Sequence, residues 1–86
     1  MLKSISVVRR AKVQIIDLIT EYTRLREELE EILKAYGVSS SRELLRLIEN
    51  GKVSEHPAYE DYLEAKSIEK DLESIRARLK KLIEEI

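Results

Sequence analysis

The sequence has no cysteine, no tryptophan and no phenylalanine, and among its 86 residues there are one proline, two glycines and one histidine. Without cysteine there is no disulfide framework and no thiolate to act as nucleophile or metal ligand; the redox compartment stays open, with the cytoplasm as the default expectation. A lone histidine, His56, has no second imidazole or thiolate at the spacing a metal would require, so a turn or cap role is expected of it. No window approaches the ~20 apolar residues needed to cross a bilayer, and residues 1–10 hold no apolar run of signal-peptide length. A net charge of −1 gives no global attraction to nucleic acid or to an anionic membrane. Asn and Gln occur once each while Glu, Lys, Arg and Ile abound, a balance seen in thermophile proteins.

What is present is charge and periodicity. Charged residues make up 38% of the chain and apolar residues 43%, the latter in a repeat too regular for disorder. Both glycines, the proline, the histidine and three of the four tyrosines fall between Tyr36 and Tyr62. The 35 residues before this stretch and the 24 after it contain no helix breaker. The expected fold is all-α: an antiparallel two-helix coiled-coil hairpin, with a short third helix capping the closed end, as one helical-hairpin domain over residues 1–86. A lone hairpin of this length buries a modest share of its surface, so a third element or a partner chain is expected.

Val8, Ala11, Ile15, Leu18, Tyr22, Leu25, Leu29, Ile32 and Tyr36 alternate spacings of three and four, a heptad seam with a at Val8 and d at Ala11. The last helix repeats the pattern at Ala65, Ile68, Leu72, Ile75, Leu79, Leu82 and Ile86. Antiparallel pairing that matches every layer sets Ile32 opposite Ala65, Leu25 opposite Leu72, Leu18 opposite Leu79 and Ala11 opposite Ile86. The register one heptad away would bury Asp61 against Leu29 and is rejected on its desolvation cost. In the chosen register Arg26 comes beside Glu69, Glu21 beside Arg78, Leu33 beside Tyr62, and Glu28 unfavourably near Asp71.

The punctuation between the long helices is equally specific. Gly37 and Gly51 suit the left-handed position just past a helix C-terminus, with Val38 placed to touch Leu33. Ser40 and Glu43 form a capping-box pattern at the start of a short helix whose Leu44, Leu45 and Ile48 share one face. Pro57, with Glu60 and Asp61, fits the first turn of the last helix.

Two groups are candidate interaction surfaces. Leu2, Ile5, Val13, Ile16 and Ile19 occupy heptad positions e, b and f, a second apolar flank of the first helix that a two-helix seam does not cover. Tyr36, Tyr59 and Tyr62 gather at the closed end, either as part of a small cap core or as a tyrosine-rich binding knob, the cap core being favoured. Glu27, Glu28, Glu30 and Glu31 flank the seam and read as a solvated face rather than a bundle metal site. The basic residues Lys3, Arg9, Arg10 and Lys12, with Arg76, Arg78, Lys80 and Lys81, lie toward the open end, but no aromatic is interleaved for base stacking.

The block Tyr36-Gly37, Ser40-Ser41, Gly51 and Tyr59 to Leu63 resembles the middle of TumA-type small antitoxin-like proteins, the partners of TumE-type toxins. These are similar in having a helix that ends in Tyr-Gly, a serine-capped short helix, a glycine turn and an acidic-aromatic start to the last helix. The likeness covers about a third of the chain; Leu44 and Ala65 stand near places where such proteins often carry Phe and Trp. It implies a helical protein that binds and neutralises a toxin, with no catalytic residue carried over.

The expected function is therefore a non-enzymatic protein–protein interaction module, antitoxin-like as that resemblance implies. A homodimeric four-helix bundle is the alternative and nucleic-acid binding a third. The expected partners are a protein, a second copy, or both, with no cofactor, small-molecule substrate or membrane.

Overall fold

The computed structural model describes residues 5–86. These form three helices and no strand: α1 (Ile5–Lys34), α2 (Ser41–Glu49) and α3 (Glu55–Glu85). Both α1 and α2 pack against α3. The molecule is a rod with extents of 59 × 18 × 16 Å. None of the described helices is long and apolar enough to cross a membrane.

The direction of packing follows from two hydrogen bonds. The Tyr36 hydroxyl, just past α1, donates to the Asp61 carboxylate near the start of α3. Further back on α1, the Tyr22 hydroxyl accepts from Arg76 Nη2 at 2.8 Å, well along α3. One helix is thus read forwards as the other is read backwards. Asp61, half-buried, meets a phenol rather than the apolar Leu29, which is the outcome its desolvation cost demands.

The core is the seam. Leu25, Ile68 and Ile75 are buried at its centre, with Leu18, Tyr22, Leu29, Ile32, Leu72 and Leu79 packed around them. Every seam residue from Val8 to Tyr36 is buried or half-buried. Burying one such aliphatic side chain is worth about 1.5–3 kcal/mol, so the repeated layers are the main favourable contribution of the α1–α3 contact. Ile86 departs from the expected pattern and is exposed. It stands beyond the last helical residue, and the position set opposite it is Ala11, whose methyl gives it little to pack on.

The caps form as the residue types require. Gly37 has φ +66°; Val38 N–H donates to the Leu33 carbonyl at 3.2 Å and Gly37 N–H to that of Lys34 at 3.1 Å, the paired bonds of a Schellman motif. Gly51 repeats it with φ +67°, Lys52 bonding to Leu47 and Gly51 to Ile48. Between them Ser40 Oγ accepts from Glu43 N–H at 3.2 Å. The Glu43 carboxylate reaches back one residue beyond the expected capping box, to the Ser39 N–H. Leu44 of α2 is fully buried. His56 is non-helical at φ −110° and ψ 122°, as the ring of a following proline dictates, and regular helix resumes from Pro57. The His56 imidazole lies 2.9 Å from the exposed Glu60 carboxylate, one helical turn on.

Candidate interaction surface

The apolar flank of α1 faces outward. Ile5 is 72% exposed, Ile16 62%, Val13 57% and Ile19 50%. Leu2, the fifth member of the expected strip, lies outside the described residues. Ile5 and Ile16 stand nearly in line on the helix, eleven residues apart, with Ile19 and Val13 about 60° to either side of Ile16. Solitary aliphatic side chains in water need no explanation, whereas a line of them does.

What covers and uncovers this flank becomes clear from the edge of the seam on which it borders. In an antiparallel pair the e positions of both helices flank the same edge. Arg76, at e on α3, lies over that edge of α1: besides its bond to the Tyr22 hydroxyl, its guanidinium is 6.0 Å from the Tyr22 ring centroid. Toward the closed end the edge is occupied by α2. Ser41 N–H and Oγ donate to the Glu69 carboxylate, at e on α3, and Ser41, Arg42 and Leu45 share a depression with Tyr62, Lys66 and Glu69. Leu33, at e on α1, is buried there. Toward the open end α2 does not reach. The same edge then consists of Ile19, Ile16 and Ile5 on α1 and Ile83, at e on α3, all exposed. Arg9, Lys12, Arg76 and Lys80 stand among them, also exposed.

The tyrosines divide. Tyr36 is half-buried and held by Asp61; that hydrogen bond, then burial, then the negative charges of Asp61 and Glu60 push its pKa up to about 12. Tyr59 and Tyr62 pair with each other at a centroid distance of 6.0 Å and a tilt of 36°, and the Lys66 ammonium sits 5.9 Å from the Tyr62 ring. Tyr62 is half-buried and Tyr59 largely exposed. At the closed end Leu33, Leu44 and Ala58 are buried, while Tyr59 is exposed.

A family model, the Uncharacterized protein MJ0235 family, matches residues 6–86, nearly the whole chain. The chain belongs to the MJ0235 family. No curated protein and no solved structure matches it.

Within this MJ0235-family chain the periodicity alone locates the flank Ile5, Val13, Ile16 and Ile19 and its exposure. It does not find the Ser41–Glu69 contact. Register predicts Glu69 beside Arg26; Arg26 instead pairs with Glu30 on its own helix at 3.1 Å, and Arg24 with Glu28 at 3.7 Å. The available signal was Ser41 itself, a second small hydroxyl directly after the N-cap, where unpaired N–H groups at a helix start favour a carboxylate.

Proposed function

We propose that this chain is a non-enzymatic protein–protein interaction module, built as an antiparallel coiled-coil hairpin whose closed end is capped by α2. Its working surface is the outward flank Ile5, Val13, Ile16 and Ile19 of α1. The observation that carries this reading is that four aliphatic side chains on one face of α1 are each half or more exposed, while α2 covers the same edge of the seam only at its other end. Side chains of this kind are worth about 1.5–3 kcal/mol each when buried, so the strip supplies a substantial part of a partner interface. The likeness of the capped central block to TumA-type antitoxins gives the module a role, binding and neutralising a toxin in the cytoplasm. Self-association into a four-helix bundle is the competing use of the same surface.

The test is the double substitution Ile16→Glu with Ile19→Glu in the full chain. Both sites are exposed, so circular dichroism should show unchanged helicity. Affinity purification from the source cells should recover a stoichiometric partner on the parent chain and lose it on the variant. An antitoxin further requires that the recovered partner arrest growth alone and be relieved by the parent chain only. A partner held equally by both chains would dismiss this flank and leave Tyr36, Tyr59 and Tyr62 as the surface to pursue.

A further inference from the structure

The chemistry around the flank narrows the occupant. Between Ile5 and Ile19 the edge carries Arg9 at b and Lys12 at e, and across the seam Arg76 at e and Lys80 at b. The acids near this stretch are fewer: Asp17 at c lies one turn on from Val13, at the border of the strip away from α3, and Glu73 at b and Glu84 at f of α3 are exposed on the outer side. The border of the aliphatic strip that runs along α3 is therefore richer in cations than in acids. A second copy laid on the strip about a two-fold axis would bring Arg9 and Lys12 against their own counterparts, and such like-charge pairs oppose association. A membrane surface is a poorer match, since the strip has no aromatic residue of the kind that seats helices at lipid interfaces.

The molecule also shows how it covers this edge where it can. At the closed end it lays α2 there, a nine-residue amphipathic helix with Leu44 fully buried and Leu45 and Ile48 half-buried, its first turn pinned by a carboxylate. The open-end stretch continues the same edge, and Ile5 to Ile19 spans about 21 Å of helix. We propose that the open-end edge binds an amphipathic helix of a partner protein, three to four turns long, whose apolar face is bordered by aspartate and glutamate. Its apolar face packs on Ile5, Val13, Ile16 and Ile19, and its carboxylates meet Arg9, Lys12, Arg76 and Lys80. This inference rests on the flank being the working surface.

The experiment is selection from a displayed library of helical peptides, randomised on all faces, against the full-length chain. The expected winners combine an i, i+3, i+4, i+7 apolar face with flanking Asp and Glu. Their binding should weaken at least tenfold on Arg9→Glu with Lys12→Glu, and should also fall as salt rises. It should vanish on Ile16→Glu with Ile19→Glu. Winners that survive the isoleucine substitutions would overturn the flank itself as the working surface. Winners that need the isoleucines but ignore the charge reversal, or are neutral or basic, would overturn only the acidic-helix inference. So would an empty selection, a parent chain that sediments as a dimer dissociated by Ile16→Glu, or flank-dependent binding to phosphatidylserine vesicles in preference to peptide.

Discussion

The carboxylate of Glu69, midway along α3, receives both the backbone N–H of Ser41 at 2.9 Å and its hydroxyl at 2.5 Å. Ser41 is the one polar residue of the described chain that is buried, and it begins α2. One acid thus satisfies two donors and places negative charge at a helix start, where the exposed N–H groups favour it.

Removing that acceptor leaves a buried hydroxyl and amide unpaired, a loss of about 1–3 kcal/mol. Glu69→Ala should lower the melting temperature by about 4 °C or more, since each kcal/mol moves a domain of this size by about 4–8 °C. Glu69→Gln keeps an acceptor oxygen and should lie between. Equal melting of all three chains would show that this contact does not hold α2.

Tyr36 sets a pH dependence at the alkaline end. Its pKa rises from the ordinary 10.0 of the unfolded chain to about 12 in the fold, because its hydroxyl donates to Asp61. Stability from this bond is complete below about pH 10 and is lost as pH climbs toward 12, since only the unfolded chain releases the proton in that interval. Tyr36→Phe should be less stable than the parent at neutral pH, with the gap closing through that window. Alkaline titration by phenolate absorbance should show a late step for Tyr36 in the parent that the variant loses.

Gly37 occupies the left-handed region at φ +66°, with open space where a Cβ would stand. The cost of a side chain there is conformational rather than steric against neighbours. Gly37→Val should cost about 1–2 kcal/mol or somewhat more, because the branched side chain adds to the penalty any L-residue meets at positive φ. Unchanged thermal unfolding would mean that α1 leaves its Schellman turn without loss.

The register of the seam is open to a direct chemical check. Leu25→Cys with Leu72→Cys should oxidise to a cross-link, and Leu25→Cys with Ala65→Cys should not. The opposite result would move α3 by one heptad and part Tyr36 from Asp61.

The helices were legible because their signals are local and repeated. Nine apolar residues from Val8 to Tyr36 keep a seven-residue period, and each lies buried or half-buried. Two glycines supply the positive φ that the turns need, and Ser40 caps α2 as its side chain suggests. The exposure of Ile5, Val13, Ile16 and Ile19 follows from their place on the wheel, away from a and d. Polar partners were legible only in part, because long charged side chains choose among several neighbours of similar energy. Arg26 turns along its own helix to Glu30, Arg76 takes the Tyr22 ring and hydroxyl, and Glu69 is claimed by α2, whose path over α3 no periodicity encodes. Ile86 continues the period but outlives the helix that would have buried it.

The rod is held together unevenly. Leu44, in the short helix at one end, is among the described residues the one large side chain removed entirely from water. From there two arms of about thirty residues extend side by side, each about 45 Å long at the rise of an α-helix. The arms stay in contact out to Ala11 and Leu82, both buried, so neither can swing alone about the capped end. Whatever meets Ile5 and Ile83 therefore meets a surface whose spacing the seam has already fixed.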